Sequence, residues 1–332
     1  MYSLSEQLFE QYAFPVTEIQ KGRGAYICTT EENKVILKEF DTSEVRAEFI
    51  AAFLTEAADQ GILVDHIIRT TGGTVLATDV DETRYYVRDY IEGRECETKN
   101  RDDLLAAVTL LAHFHQALHA GNAKVPDGLR IRRQTLLTEY EKHNRELKKV
   151  RNYIRGKKSK NEFEMLFLKN YDKFAGKAEH VTECLKRQME TISDEEWERY
   201  SGICHGDFNQ HNVLFAKDGV HLTNFENAVY DMYIRDLANF MRKMMEKHNW
   251  NVGLAVDMTA AYETKRKLTP VEYEQLYIRL SYPEKFWKIA NHYYNSNKSW
   301  ISARNIEKLN RVIEQEEQRE HFLRMLFNFR KE

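Results

Sequence analysis

The segment from His205 to Phe215 has the residue types and spacing of a loop that transfers phosphoryl groups. Asp207 precedes Asn212 by five positions, which is the spacing of a kinase catalytic loop. In such a loop the aspartate accepts the proton of the acceptor hydroxyl, and the asparagine binds a magnesium ion. A second metal-binding aspartate is expected on the strand that follows, but this chain has Asn224 there. How well the loop could transfer phosphate depends largely on that residue.

The predicted metal site has three candidate ligands, Asn212, Asn224 and Glu226. A neutral asparagine offers one carbonyl oxygen where aspartate offers a charged carboxylate, and Mg²⁺ favours charged oxygen ligands. We therefore expect Asn224 to lower the affinity for the metal. Glu226 lies two residues further on, on the same face if the segment is extended, and is a candidate to supply the missing charge.

A lysine in an otherwise apolar strand is the second candidate for a chemical role. Lys38 lies in the run Val35–Phe40, where it would reach the α- and β-phosphates of ATP. A helix carboxylate should pair with it, and Glu48 is the better candidate, because Glu44 follows Asp41 by three positions and could serve a capping box. A strand lysine by itself more often lies at the surface, but the ordered set of motifs favours the nucleotide role.

Two further segments are candidates for nucleotide contacts. Gly22 and Gly24 could form a turn over the phosphates, although a G-x-G sequence alone is more typical of a hairpin turn. Asp89, Tyr90 and Ile91 would present backbone groups to the adenine between two lobes. By itself the latter segment indicates only a buried strand followed by a turn.

The elements that must position these residues indicate an α+β protein with two lobes. Hydrophobic periodicity and breakers predict two β-rich runs, a helix and two further strands, and then mainly helices from Asp102. The predicted boundaries of the first elements are Ile19–Phe40 for the β-rich runs, Ser43–Asp59 for the helix, and Gly73–Thr78 and Arg84–Ile91 for the strands. We expect a small β-rich N-lobe over 1–91 and a large helical C-lobe over 92–332.

Composition limits the function classes. The 332 residues, 42% hydrophobic and 12% aromatic, predict a folded chain. We expect neither a secretion leader nor a membrane span, because no long uncharged apolar run is present. The four scattered cysteines favour a reducing compartment. A net charge of −3 argues against a dedicated nucleic-acid-binding protein.

Two other features have an ordinary interpretation beside a functional one. His115 shares an apolar stripe with Leu104, Val108 and Leu111, which predicts a hydrogen-bonded core histidine rather than a catalytic one. Between residues 142 and 160, nine basic residues accompany one acid, Glu146. This composition is typical of a solvated helix and loop, and a docking surface for an acidic partner is the alternative.

The motifs resemble a known group of proteins. Residues 205–207 with Asn212, and residues 230–238, resemble the aminoglycoside phosphotransferase and choline kinase group of kinase-like folds. Residues 280–298, rich in tyrosine and tryptophan, resemble the signature of the spore-coat CotS family. The resemblance implies a two-lobed protein-kinase-like fold with an enlarged helical C-lobe. It also implies synthesis in the cytoplasm of a sporulating cell followed by deposition in the spore coat.

The resemblance further implies roles for individual residues. Asp207 would be the catalytic base, Asn212 a metal ligand and Lys38 the nucleotide lysine. Asp236 would brace the catalytic loop, with His205 in a structural role. The implied cofactors are ATP and Mg²⁺, and the implied partners are other coat proteins or a small hydroxyl-bearing substrate, with no nucleic acid and no membrane.

Two hypotheses follow. One is a spore-coat kinase-like protein whose ATP- and Mg²⁺-dependent phosphotransfer to a hydroxyl is weak or absent because of Asn224. The other is a non-catalytic coat component that uses the scaffold for binding. In both, we expect the aromatic segment from Tyr282 to Trp300 to pack mainly inside the helical lobe, with a minority of its rings exposed.

Overall fold

The protein has a mixed α+β fold that divides into two compact units. The structure, a computed structural model, describes residues 4–118, 125–295 and 303–328. The first unit comprises Met1–Arg130, Gly202–Asp236 and Ala260–Lys267, and the second comprises Ile131–Ser201, Leu237–Thr259 and Leu268–Glu332. The lobe boundary predicted at residue 91 falls inside the first unit, which joins the β-rich segment to the catalytic-loop segment. The division into lobes at that residue stays a prediction.

The β-rich part of the first unit is one antiparallel sheet of six strands. Its strands are β1 (Val16–Lys21), β2 (Tyr26–Thr30), β3 (Lys34–Glu39), β4 (Ile67–Ile68), β5 (Ala77–Thr78) and β6 (Arg84–Asp89). Their order is β1-β2-β3-β6-β4, and β5 also pairs with β6. In the register of β3 with β6, Lys38 lies opposite Tyr86. The strand predicted at Gly73–Thr78 is much shorter than expected, since only its last two residues pair.

Helices with side-chain caps lie before, between and after the strands of this sheet along the chain. The helices of the first unit are α1 (Glu6–Phe9), α2 (Glu44–Asp59) and α3 (Arg101–Ala117). Ser43 caps α2 by accepting a hydrogen bond from the Arg46 N–H, and Asn100 caps α3 in the same way. Buried apolar residues of α2, including Phe53 and Leu54, hold it in the core.

Two small sheets frame the predicted catalytic loop. β7 (Gly93–Glu95), β9 (Val213–Ala216) and β10 (Gly219–Leu222) form one, in the order β10-β9-β7. β8 (Ser201–Cys204) and β11 (Val229–Met232) form the other. Residues 205–212 therefore run from the end of β8 to the start of β9, and Asn224 follows β10 closely. Single 3-10 turns occur at Asp127–Leu129, Gln210–Asn212 and Phe225–Asn227.

The second unit is helical. The remaining helices are α4 (Thr135–Gly156), α5 (Glu162–Thr191), α6 (Asp194–Arg199), α7 (Ile234–Lys247), α8 (Val252–Glu263), α9 (Pro270–Ser281), α10 (Glu284–Asn295), α11 (Ala303–Glu314) and α12 (Glu316–Asn328). α7 begins and α8 ends in segments of the first unit. Rings stack in the core of the second unit, where Phe286 lies 4.2 Å from Phe174 between centroids. No helix in the described ranges has the length and hydropathy needed to cross a membrane.

The aromatic segment predicted to pack inside the helical region does so. Tyr282 and Phe286 are buried, Trp287 and Tyr293 are half-buried, and Tyr294 is 42% exposed. The prediction of a mostly buried segment with a minority of exposed rings is therefore confirmed as far as Asn295. Trp300, at its end, lies outside the described residues.

Trp287→Ala should lower the free energy of unfolding by about 1–3 kcal/mol, which is less than the loss of a fully buried aromatic ring. The Trp287 ring stacks on His143 at 3.4 Å between centroids, and its Nε1 donates to Glu146 at 2.8 Å. Urea denaturation of this variant beside Tyr294→Ala, which removes an exposed ring, measures the difference. Equal losses in the two variants would contradict a packing role for Trp287.

Candidate active site

The backbone of the predicted catalytic loop is fixed by one buried carboxylate. Asp236 accepts the N–H groups of His205 at 2.6 Å and Gly206 at 3.1 Å. Gly206 has a φ of 79°, and a Cβ there would lie 1.8 Å from the carbonyl oxygen of Asn227. Only glycine fits that position. The backbone conformation at the start of the loop is therefore set by Asp236 and by the close approach of Asn227 to Gly206.

Asp236 is itself held by a histidine of α3. His115 Nε2 donates to Asp236 at 3.2 Å, and the Tyr262 hydroxyl lies 2.8 Å from His115 Nδ1. Burial alone would raise the pKa of Asp236, but the hydrogen bond and charge of His115, with the charge of Arg235, lower it below its usual value. The prediction that His115 is a hydrogen-bonded core residue is confirmed, and its partner is the brace of the loop.

His115, Asp236 and Cys204 also place potential metal-ligating atoms within 4.8 Å of one another, all buried. Each has a protein partner. Cys204 donates to the carbonyl oxygens of Asp231 and Met232 at 3.5 Å, and Asp236 accepts two N–H groups. The arrangement is a hydrogen-bonded support for the loop.

His205 links the loop to the segment that carries Asn224. Its Nε2 donates to the carbonyl oxygen of Thr223 at 3.0 Å, and its Nδ1 accepts the N–H of Asp207 at 3.3 Å. Its ring lies 4.7 Å from the ring of Phe225. The structural role expected for His205 thus has a concrete form, because one imidazole positions residues on both sides of the site.

Asn212 is tied back to the predicted base. Its Nδ2 donates to the carbonyl oxygen of Asp207 at 2.9 Å, as does the Nδ2 of Asn209. Asn212 is buried, whereas Asp207 is half-buried. The turn from Asp207 to Asn212 is therefore closed by side-chain hydrogen bonds, and the two predicted functional residues lie at its ends.

Lys38 pairs with a residue of the opposite segment rather than with a helix carboxylate. Its Nζ lies 2.5 Å from Glu226 Oε2 and 3.2 Å from Asn224 Oδ1. The other oxygen of Glu226 accepts the Tyr86 hydroxyl at 2.6 Å. The side chains of Lys38 and Glu226 are 22% and 14% exposed, so solvent screens this pair only partly.

The predicted pairing of Lys38 with Glu48 is wrong in this structure. Glu48 instead binds Arg69 through both carboxylate oxygens, at 2.6 and 2.7 Å, and this contact lowers the pKa of Glu48. A guanidinium matches a carboxylate bidentately, which a lysine cannot do. Glu44 does not join a capping box either, since Ser43 is the cap and Glu44 accepts the N–H of Val75 at 3.1 Å.

Asn224 forms a bridge of hydrogen bonds across the site. Its φ of 70° is in the left-handed region, which asparagine tolerates better than most residues. Its N–H donates to both carboxylate oxygens of Asp65, at 3.3 and 3.1 Å. Its Nδ2 donates to Asn212 Oδ1 at 3.3 Å, while its Oδ1 accepts from Lys38. The amide therefore connects the predicted nucleotide lysine to the predicted metal ligand.

The carboxylate that accepts the Asn224 N–H belongs to a buried ion pair that was not predicted from the sequence. Arg88 of β6 binds Asp65, and both side chains are buried or nearly so. Burial alone would lower the pKa of Arg88, but the charge of Asp65 outweighs it and raises the pKa. An arginine directly after the buried run Tyr85–Val87 of β6 was the available signal, because a buried guanidinium requires a counter-ion.

The three predicted metal ligands do not form a set that suits Mg²⁺. Asn212 Oδ1 accepts from Asn224 Nδ2, and Asn224 Oδ1 accepts from Lys38. The Glu226 carboxylate is shared by Lys38 and Tyr86. Mg²⁺ requires charged oxygens in near-octahedral geometry. Here the only carboxylate of the three is paired with Lys38, so the three residues as arranged do not fit Mg²⁺.

The predicted glycine loop is a hairpin turn between β1 and β2. The Gly22 N–H donates to the Ala25 carbonyl at 2.8 Å, and Gly24 has a φ of 70°. At the tip, Arg23 Nη1 lies 3.2 Å from both ring nitrogens of His211, whose Nδ1 also contacts Glu95. The tip therefore touches the turn between Asp207 and Asn212. A role in phosphate binding stays a prediction.

The segment predicted to meet the adenine connects β6 to β7. The Asp89 carboxylate accepts the N–H of His66 at 3.0 Å and lies 3.0 Å from His66 Nδ1. Lys34 Nζ lies 5.8 Å from the centre of the Tyr90 ring. Asp89 and Tyr90 therefore have side-chain contacts in the first unit, and contact of the backbone of Asp89, Tyr90 and Ile91 with adenine stays a prediction.

Solved structures share the fold over nearly the whole chain. An aminoglycoside phosphotransferase from Alicyclobacillus acidocaldarius subsp. acidocaldarius DSM 446 has a TM-score of 0.86 at 19% identity, covering 98% of this chain and 96% of that one. The amicoumacin kinase hAmiN, in complex with AMP-PNP, Ca²⁺ and Ami, has a TM-score of 0.62 at 14% identity, covering 94% and 90%. The spectinomycin phosphotransferase APH(9)-Ia, in complex with ADP and spectinomycin, has a TM-score of 0.62 at 15% identity, covering 94% of each chain. The prediction of an α+β kinase-like fold is confirmed.

Sequence comparison identifies the family within this fold. Spore coat protein S of Bacillus subtilis (strain 168) is 25% identical over 328 residues, which cover 96% of this chain and 92% of that protein. The family described as "Spore coat putative kinase YutH" matches residues 5–326. The chain therefore belongs to this family of kinase-like spore coat proteins.

Proposed function

We propose that this protein is a kinase-like component of the spore coat that binds adenine nucleotide through Lys38 and transfers phosphate weakly or not at all. The observation that carries the proposal is the chain of hydrogen bonds from Lys38 through Asn224 to Asn212. A kinase holds its metal with a pair of side chains of which at least one is negatively charged. At the corresponding positions this protein has two neutral amides, Asn212 and Asn224, which are hydrogen-bonded to each other. The site has a lysine and a candidate base, but it lacks the negative charge that an aspartate at residue 224 would offer a metal.

Electrostatics support this proposal. The Lys38 ammonium already lies beside Asn224 and neutralises Glu226 at 2.5 Å. A divalent cation at Asn224 would have this ammonium as a close neighbour and no carboxylate at residue 224 to offset the repulsion. Anionic phosphates, by contrast, would be attracted to Lys38 once it exchanged Glu226 for them. We therefore infer that nucleotide binds with little dependence on magnesium.

Membership of the family supports a proposal for location and partners. We propose synthesis in the cytoplasm of the sporulating cell, incorporation into the coat, and contacts with other coat proteins or with a small hydroxyl-bearing molecule. The solved kinases that bind AMP-PNP or ADP support nucleotide as the ligand of the cleft, by analogy of fold.

A second candidate function is a purely structural coat component. The contact of Arg23 with His211 favours it, because the tip of the hairpin then lies against the turn between Asp207 and Asn212 where phosphates would have to enter. In that case the scaffold would serve for protein binding alone.

Thermal unfolding with and without nucleotide separates the two candidates. Millimolar ATP should raise the melting temperature by about 1–3 °C, since a ligand that binds only the native state stabilises it by mass action. Adding magnesium should change this shift little. Lys38→Met should abolish the shift, whereas Lys99→Met, which removes an exposed lysine before α3, should keep it.

Calorimetric titration with ATP gives the affinity directly. A parent protein that shows neither heat of binding nor a shift in melting temperature at millimolar ATP would remove the nucleotide from the proposal and leave the structural candidate. A shift that required magnesium would show that the metal site is functional despite its neutral amides.

A further inference from the structure

Helix α4 presents a strongly basic surface on the second unit. Of the nine basic residues between positions 142 and 160, three pair with carboxylates, namely Lys142 with Glu146, Arg151 with Asp172 and Lys157 with Glu164. Five others are exposed and form no ion pair with any residue in the described ranges: Arg145, Lys148, Lys149, Arg155 and Lys158. Most of the positive charge of this segment therefore has no carboxylate partner among the residues that the structure describes.

The concentration of charge is large compared with the rest of the protein. Nine basic residues and one acid give residues 142–160 a formal charge of +8, while the whole chain carries −3, which leaves −11 for the remainder. On the helix, Arg145 and Lys149 are four residues apart, as are Arg151 and Arg155. Like charges at this spacing repel one another and destabilise a helix. A bound anionic group would relieve that repulsion.

Exposed aromatic rings lie on the same surface. Tyr153 of α4 is 51% exposed and Tyr294 of α10 is 42% exposed, and their rings meet edge to face at 5.4 Å between centroids. Lys157 Nζ lies 5.6 Å from the centre of the Tyr153 ring. Tyrosine beside basic groups is typical of the centres of protein interfaces, where an amphipathic ring packs against an apolar side chain of the partner.

We propose that this basic tyrosine face binds an acidic segment of another polypeptide. The face is defined by the five exposed cations and the two tyrosines: Arg145, Lys148, Lys149, Arg155, Lys158, Tyr153 and Tyr294. Carboxylates of the partner pair with the five cations of this face, and an aromatic or aliphatic side chain of the same segment packs on the two tyrosine rings. A polypeptide fits better than nucleic acid, because the remaining −11 charge of the chain repels an extended polyanion more strongly than a short acidic segment.

The test measures binding of the whole protein to a short fluorescent peptide of alternating glutamate and phenylalanine. Its comparison ligands are polyglutamate, a peptide with serine in place of glutamate, and duplex DNA. The acidic aromatic peptide should bind best, and its affinity should fall as salt is added. Charge reversal with Lys148→Glu and Lys149→Glu should lower the affinity for the acidic aromatic peptide by about tenfold or more.

Matched variants separate the local surface from overall charge. Lys186→Glu with Lys308→Glu changes the net charge equally at exposed lysines on α5 and α11, and it should alter peptide affinity less than about twofold. Tyr153→Ala should weaken the aromatic peptide but leave polyglutamate binding unchanged. The proposal is overturned if the two charge-reversal pairs have equal effects, if duplex DNA binds as tightly as the peptide, or if no acidic ligand binds at low salt.

Discussion

Asn224→Asp should raise phosphotransfer or ATPase activity by about tenfold or more and make nucleotide binding depend on magnesium. The substitution adds a negative charge beside Asn212 and removes the Nδ2 group that donates to Asn212 Oδ1. It therefore supplies one charged ligand and releases a second oxygen. Activity assays with a range of hydroxyl acceptors, and titration with Mg²⁺ in the presence of ATP, measure both effects.

The surroundings of residue 224 should accept the aspartate. Its backbone is left-handed, a conformation that aspartate tolerates as asparagine does. Its N–H would still donate to Asp65. Asp65 is neutralised by Arg88, so the new carboxylate would not face an unpaired negative charge. The new carboxylate would also attract Lys38, and the ion pair between Lys38 and Glu226 would weaken.

Control substitutions test whether the gain in activity of the Asn224→Asp variant comes from the predicted catalytic site. Adding Asp207→Asn should remove it, because the acceptor hydroxyl would lose its base. If Glu226 already binds the metal, the parent should be active, Glu226→Gln should abolish that activity, and Asn224→Asp should change little. No activity in the parent or in the Asn224→Asp variant, at saturating magnesium and with many acceptors, would favour the structural coat component.

Local sequence signals predicted the parts of the site that depend on short-range order. The spacing from Asp207 to Asn212 corresponds to one turn closed by hydrogen bonds between its own residues. The G-x-G of Gly22 and Gly24 corresponds to a two-stranded hairpin, whose turn chemistry is equally local. The α+β class followed from periodicity and from the change to mainly helical patterns from Asp102 onward.

The partners of side chains in distant segments could not be predicted from the sequence. Lys38 and Glu226 are 188 positions apart, so nothing in the strand itself indicates that partner. The expected helix partner, Glu48, is bound by Arg69, and no pattern in α2 distinguishes a carboxylate that faces Lys38 from one that faces Arg69. Arg88 did carry a signal, since an arginine next to a buried apolar run needs a counter-ion, but Asp65 could not be named from it.

Asp236→Ala should lower the free energy of unfolding by about 3–5 kcal/mol at neutral pH. Asp236 is 1% exposed and accepts the N–H groups of His205 and Gly206 as well as the Nε2–H of His115. Removing the carboxylate leaves these buried donors without their acceptor, and an unsatisfied buried group bears its full desolvation cost. Urea denaturation measures the loss, and Asp172→Ala, at a carboxylate that is 83% exposed, is the matched control with a loss below about 1 kcal/mol.

The loss at Asp236 should also depend on pH in a defined direction. Because folding lowers the pKa of Asp236, its carboxylate stabilises the native state above the unfolded-state pKa of about 4, and that stabilisation disappears as the pH falls through the lower folded-state value. The parent should therefore lose stability in acid more steeply than Asp236→Ala, and the difference between them should narrow. A difference that stayed constant between neutral and acid pH would show that Asp236 acts through packing alone, and the charge-based account of how the loop is held would then be wrong.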